Sequence, residues 1–294
     1  MRNLFRELDS GKVILSDGAW GTMLQEKGLQ AGDCPELWNL AFPDRVKAVA
    51  ETYVNAGSDL ILTNTFGGSL FKLINYDLQD NVQQLNRLGV MLSKEAAGEN
   101  VFVAASVGPT GKFLQPLGEV SEEEMFAVFC DQISAQTDGR ADAILIETMS
   151  DVSEAALAVK AAKKVTTLPV MVTMTFEKGK QGYRTMMGVS IEQAVKGLTD
   201  AGADLLGTNC GNGIEQICEI ITEMRKFTSK YLIAHPNAGL PKLVDNKTVF
   251  DQTPENMARF IPDLINAGAS IIGGCCGTTP AHIKAMARQI ENLR

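Results

Sequence analysis

Eight short apolar runs recur along the 294 residues, each followed by a segment of helical spacing or by a glycine-rich turn. The runs are "VILSDGA" from Val13, "DLILTNTF" from Asp59, "VFVAASVGP" from Val101 and "AILIETM" from Ala143, then "PVMVTMTF" from Pro169, "LLGTNC" from Leu205, "YLIAHPNAG" from Tyr231 and "IIGGCC" from Ile271. They are rich in residues that suit strands buried on both faces. Between them, "PDRVKAVAETYVNAGSD" places Val46, Val49, Ala50 and Tyr53 on one helical face, and "GIEQICEIITEM" does the same with Ile214, Ile217, Cys218 and Ile221. The phrases "NAGSDL", "DAGADL" and "NAGASI" each read as a helix ending at glycine and turning into the next run. Eight strand–helix units in a chain of this length predict a single α/β domain over residues 1–294, a (β/α)8 TIM barrel. A doubly wound open sheet is the competing fold, but no Gly-x-Gly-x-x-Gly follows the first run. "GPTGKF" is not a phosphate loop either, because Ser106 stands in place of its first glycine and Phe113 in place of the Ser or Thr that would hold magnesium.

Composition narrows the partners. A net charge of −8 without a cluster of Lys and Arg argues against a nucleic-acid surface. No apolar run reaches the length of a membrane span, and Glu7 and Asp9 interrupt the N-terminal stretch where a signal peptide needs an apolar core. A cytoplasmic protein with no membrane partner is expected. Six cysteines are too sparse for a disulfide scaffold, so metal or catalytic roles are favoured for some of them.

In such barrels the site is built at the C-terminal ends of the strands. Those ends carry Asp17, Thr63 and Asn64, Ser106, Glu147, Thr175, Asn209 and Cys210, His235 and Asn237, and finally Cys275 and Cys276. The adjacent pair in "GGCCGTTP" has two readings when taken alone: small residues packed at a tight turn, or two sulfurs aimed at one metal. The sixth and eighth strands lie two places apart, so Cys210 can reach the same point and supply a third ligand. Three thiolates and an open fourth position describe a catalytic zinc site, since structural sites are closed by four protein ligands. Such an electron-rich site is a poor activator of water, and its natural fourth ligand is a soft substrate sulfur. A free thiol is only about 3% ionised at pH 7, so binding it as thiolate removes up to ~2 kcal/mol of that penalty. A zinc enzyme that alkylates a thiol follows from these features.

Asp17 and Glu147 suit a substrate ammonium, and the backbone freed by Gly18 and Gly21 in "DGAWGT" suits a carboxylate. Asp17 also has a local reading, as an aspartate capping a turn before glycine. Glu147 ends a buried strand, where an unpaired carboxylate is costly and a cationic partner is favoured. His235 is either a ligand or a strand-end histidine held by a hydrogen bond. His282 is placed to order the turn that carries the cysteines. Cys130 and Cys218 fall in helical segments as core residues, and Cys34 has no assigned role.

The motifs "DGAWGTML", "LTNTFGG", "SVGPTGK", "AILIETMSD", "GTNCG", "HPNAG" and "GGCCGTTPAHI" resemble, in order and spacing, the homocysteine S-methyltransferase family. That family includes the homocysteine-binding zinc barrel of cobalamin-dependent methionine synthase and small betaine–homocysteine-type methyltransferases. The resemblance implies a barrel that methylates homocysteine to methionine, with Zn2+ on Cys210, Cys275 and Cys276. It implies homocysteine binding by Asp17, Gly18 and Glu147, with Asn209 beside them. The positions that correspond to the aromatic cage of betaine enzymes hold Cys34, Gly67 and Thr148, although Trp20, Trp38 and Tyr183 lie in nearby segments. The sequence has no Asp-x-His-x-x-Gly to ligate a corrinoid and stops after the eighth unit, so the methyl donor is expected from outside. The favoured donor is a methylcorrinoid protein, the corrinoid being carried by that separate partner. The alternatives are betaine or S-methylmethionine as a small-molecule donor, or, in a different class, a non-catalytic zinc- and thiol-binding barrel.

Overall fold

A computed structural model describes residues 3–244 and 247–293. Its eight main strands are β1 Ile14–Leu15, β2 Leu60–Ile61, β3 Phe102–Val107, β4 Ala143–Met149, β5 Val170–Met174, β6 Leu205–Asn209, β7 Leu232–His235 and β8 Ala269–Ile272. They form one parallel sheet in the order β1-β8-β7-β6-β5-β4-β3-β2. Around it lie α1 Pro43–Ala56, α2 Val82–Ala97, α3 Glu122–Asp138, α4 Val152–Val165, α5 Ile191–Ala201, α6 Ile214–Arg225, α7 Ile261–Ala267 and α8 Pro280–Glu291. The (β/α)8 barrel expected from the recurrence is therefore the fold. No helix among the described residues is long and apolar enough to cross a membrane.

Alternation along the strands builds two cores. Ile14, Leu60, Phe102, Ala104, Ala143, Leu145, Met171, Leu205, Ile233 and Ile271 fill the barrel interior, and Leu4 and Leu8 from the short helix Leu4–Asp9 plug its lower end. The residues between them, such as Val103, Ile144, Ile146, Val172 and Leu206, pack outward against the helices. Val46, Val49, Ala50 and Tyr53 of α1 are fully buried in that outer layer, as their spacing predicts. Continuing the inward register upward places Ser106, Glu147, Thr173, Asn209 and His235 in the top layer, all buried.

The three Ala-Gly phrases end helices as read. Gly57, Gly202 and Gly268 adopt φ of 102°, 101° and 105°, the left-handed cap that only glycine takes without strain. Three aspartates then open β2, β4 and β6 in the same way. Asp59, Asp142 and Asp204 each donate a backbone N–H to the strand before and accept one back on the side chain, from Leu15, Val103 and Val170. Lys12, Lys94 and Lys163 pair with these carboxylates at the surface. Those exposed pairs are worth at most about 1 kcal/mol; the side-chain bonds to strand N–H groups are the larger contribution.

The join between the two-residue strands β1 and β2 has no ladder of backbone bonds. It is closed by Asp59 below, through its N–H to Leu15 O at 2.7 Å and its carboxylate from Leu15 N at 3.1 Å. Above, Asp17 Oδ2 accepts the N–H of Leu62 at 2.7 Å. Two antiparallel hairpins rise from the loops after β5 and β7, Glu177–Gly179 with Gly182–Arg184 and Lys242–Val244 with Lys247–Val249. The eightfold reading contains neither.

Candidate active site

The three thiols predicted to converge do so at the C-terminal mouth. Cys210, Cys275 and Cys276 place their sulfurs within 4.8 Å of one another, with Cys210 Sγ and Cys276 Sγ 3.9 Å apart. Backbone bonds hold the three loops in that arrangement. Cys210 N donates to His235 O, Cys275 N to Pro236 O, and Ala238 N to Cys276 O. Cys210 itself sits at φ 60°, a left-handed conformation that turns its side chain out of the strand direction.

The glycines of "GGCCG" allow this close approach. A Cβ on Gly274 would lie 2.3 Å from Thr278 Oγ1, and one on Gly273 would lie 2.8 Å from Asp17 O. Thr278 Oγ1 donates to Cys275 O at 2.7 Å and accepts from Ala19 N at 3.1 Å, joining the first and last loops. Tyr53 of α1 completes the joint by donating to Ala19 O at 2.7 Å. In α8, Thr279 N donates to His282 Nδ1 and the opposite ring nitrogen of His282 meets Gln252 O. That histidine orders the turn behind the cysteines, as expected.

Metal-binding capacity follows from this donor set. Zinc–sulfur bonds of about 2.3 Å at tetrahedral angles put ligand sulfurs about 3.8 Å apart, close to the 3.9 Å between Cys210 and Cys276. Without a cation the three thiols share protons unequally. Cys210 is pushed down to about 3 because its thiolate accepts hydrogen bonds from Cys275 and Cys276. Hydrogen bonding to Cys210 raises Cys275 well above the usual thiol range and carries Cys276 to about 11. One thiolate is thus stable alone, and a bound cation is what would ionise the other two.

Two buried carboxyls stand beside the cluster. Glu147 accepts a short hydrogen bond from Ser106 Oγ, and its other oxygen lies 3.4 Å from Asn209 Nδ2. Burial lifts it to about 7, with the nearby charges of Asp17 and Cys210 adding to the rise. Asp17 is also lifted by burial to about 7, against the hydrogen bonds from Leu62 N, Trp20 Nε1 and Ser16 Oγ. The bond to Leu62 is long-range rather than a local turn cap: Asp17 Oδ2 holds the β1–β2 seam and Trp20 Nε1, while Oδ1 takes Ser16 Oγ. Burial favours the uncharged form of both groups, and a cation beside them would restore their charge.

Asn209 ties this layer together. Its Oδ1 accepts from Thr148 N and Thr173 Oγ1, each at 2.8 Å. Its Nδ2 donates to Thr148 Oγ1 at 2.7 Å and lies 3.8 Å from Cys275 Sγ. These bonds hold Thr148 at φ 60°, which costs a β-branched residue about 1–3 kcal/mol. Sequence reading placed Asn209 at the site but gave no sign of Thr148 and Thr173 as its supports.

The pattern of the homocysteine S-methyltransferase family matches residues 14–290. The chain belongs to that family. The methionine synthases of Mycobacterium tuberculosis and Mycobacterium leprae are each 31% identical to it, over 97% and 95% of this chain. The chain spans about a quarter of the length of those relatives, 25% and 24%. The metallated form of the Escherichia coli homocysteine methyltransferase MmuM superposes with a TM-score of 0.81 at 23% identity, covering 97% of this chain and 99% of that one, and so shares the fold.

Within this homocysteine S-methyltransferase barrel, several other candidates fall away from the thiols. Trp38 is buried in a cluster with Phe42 and Arg45. Tyr183 donates its hydroxyl to Glu219 of α6 at 2.7 Å. Trp20 is held at the site by its bond to Asp17. His235 follows neither of its two readings: among the described residues it is outside the metal-binding group, and its Nε2 is buried without a protein partner. Burial lowers it to about 4, so it is neutral. Cys34 is buried and contacts Glu36 Oε2 at 3.4 Å, while Cys130 and Cys218 are half-buried and pack against the outer core.

Proposed function

We propose that residues 1–294 form one homocysteine-binding barrel domain that transfers a methyl group to the homocysteine sulfur, giving methionine, with zinc on Cys210, Cys275 and Cys276. The observation that carries this reading is the convergence of three thiols, their sulfurs within 4.8 Å of one another, with two buried carboxyls at one barrel mouth. A zinc ion bound there would supply the charge that keeps a substrate thiol ionised at neutral pH. Glu147 and Asp17 bind the homocysteine ammonium, which restores the charge that burial takes from them. The backbone N–H groups of the segment between Gly18 and Gly21 are suited to the substrate carboxylate. Gly18 admits that loop against Thr278 and Tyr53, where a Cβ would come within 2.7 Å of Thr278 Oγ1. Asn209 keeps Glu147 and Cys275 in register. Once the sulfur is ionised, alkylation needs no general base.

A methylcorrinoid is the favoured donor. A quaternary ammonium donor needs an aromatic cage. Here Trp38 and Tyr183 are engaged elsewhere, Trp20 is fixed to Asp17, and the corresponding positions hold Cys34, Gly67 and Thr148. The test is methionine formation by metal-loaded protein supplied with methylcobalamin, betaine or S-methylmethionine. Turnover with methylcobalamin alone is expected. Turnover with betaine or S-methylmethionine alone replaces the donor, and homocysteine binding without turnover by any donor favours a thiol-binding barrel.

A further inference from the structure

The hydrogen bonds on the buried carboxyl of Asp17 are shared unequally between its oxygens. Leu62 N and Trp20 Nε1 donate to Oδ2 at 2.7 and 2.8 Å, while Ser16 Oγ donates to Oδ1 at 3.2 Å. A carboxylate oxygen offers two lone-pair directions. Oδ2 is therefore full, and the direction left open by these three donors lies on Oδ1. The Leu62 bond belongs to the β1–β2 seam, so the indole of Trp20 is what closes Oδ2 to a ligand. Its aim is set by its surroundings. Trp20 begins the helix Trp20–Glu26, and the peptide groups of Ala19 before it are fixed: Ala19 N donates to Thr278 Oγ1 at 3.1 Å and Tyr53 Oη donates to Ala19 O at 2.7 Å. The half-buried ring packs against both the barrel interior and the outer core. Packing alone needs no N–H; the indole adds one, directed at a buried carboxyl.

A primary ammonium carries three N–H donors and gains most from charged acceptors that stand in fixed directions. We propose that Trp20 is a positioning residue for the substrate: by filling the second lone pair of Asp17 Oδ2, its N–H confines the ammonium to Oδ1 and so fixes where that ammonium stands relative to the thiol cluster. This inference rests on the reading of Asp17 as a partner of the homocysteine ammonium.

The test is calorimetry of the zinc-loaded full chain with homocysteine and with 4-mercaptobutanoate, the same thiol acid without the amino group. Trp20→Phe keeps an aromatic ring and removes the donor. It should weaken homocysteine binding about tenfold and leave 4-mercaptobutanoate within about twofold of the wild type, so the second thiol also reports whether the site is intact. The double variant Trp20→Phe with Asp17→Asn decides between positioning and packing. If the indole acts through Asp17, removing it from the Asp17→Asn protein should cost less than about twofold further, whereas a packing role gives additive losses. Undiminished homocysteine affinity in Asp17→Asn refutes the ammonium site itself. A weakened Asp17→Asn beside an unaffected Trp20→Phe overturns this inference alone, as do additive losses in the double variant or equal losses of both thiols in Trp20→Phe.

Discussion

Replacing Glu147 with Gln should make the metal-free barrel more stable while weakening its grip on homocysteine. Burial lifts the Glu147 carboxyl from its ordinary 4.5 to about 7. Its folded-state value therefore lies above the unfolded one. The stability it contributes is fully present below about pH 4.5 and is lost as pH rises through about 7. A lift of that size corresponds to about 3 kcal/mol, of which about 2.5 kcal/mol falls between pH 5 and pH 8. Gln is neutral throughout and can still accept from Ser106 Oγ, so it avoids that loss. Asp17 and the three thiols titrate in both proteins, so the difference between the two reports Glu147 together with its coupling to Asp17 and Cys210. Urea unfolding of metal-free, reduced protein at pH 5 and pH 8 measures it. Glu147→Gln should match the wild type within about 1 kcal/mol at pH 5 and exceed it by about 2–3 kcal/mol at pH 8. Calorimetry of the zinc-loaded forms should show homocysteine affinity falling about tenfold or more, through loss of a charge-assisted bond. Stability curves that stay parallel between the two pH values would refute the argument that Glu147 is held uncharged by burial.

Cys210→Ser, Cys275→Ser and Cys276→Ser should each lower bound zinc well below one per chain and abolish methyl transfer, with circular dichroism unchanged; metal analysis of the dialysed proteins checks this. Asp17→Asn should weaken homocysteine binding by one to two orders of magnitude, read by calorimetry, through loss of a charged acceptor. Gly207→Ala should lower the melting temperature, because its Cβ would come 2.2 Å from Ile233 O across β6 and β7. Tyr183→Phe should leave the rate of methionine formation unchanged, since its hydroxyl is bound to Glu219 rather than facing the thiols.

Much of this architecture was legible because it rests on local rules. The eight apolar runs map onto the eight strands, and the Ala-Gly phrases mark left-handed caps, because only glycine fits φ near 100° there. The thiol cluster was legible because barrel topology alone brings the sixth and eighth strand ends together. What stayed hidden depends on tertiary contacts between distant segments. Nothing in "AILIETM" says that Thr148 adopts a left-handed backbone. The recurring aspartates were visible in "GSDL" and "GADL", yet their bonds run to strands more than thirty residues away. The hairpins after β5 and β7 went unread because they are short excursions outside the strand–helix repeat.

The join between β1 and β2 makes one residue both hinge pin and handle. Asp17 latches the upper half of that join through a single bond to the Leu62 amide, and in the proposed function it is also the carboxylate that meets the substrate ammonium. Any ligand that draws charge toward Asp17 Oδ1 changes the strength of the latch at Oδ2. Amide hydrogen exchange at Leu62 thus becomes a gauge of site occupancy, readable without following the reaction. The one join without a strand ladder is held by the carboxylate proposed to meet the substrate, so in that reading loading the site and closing the cylinder are coupled through one side chain.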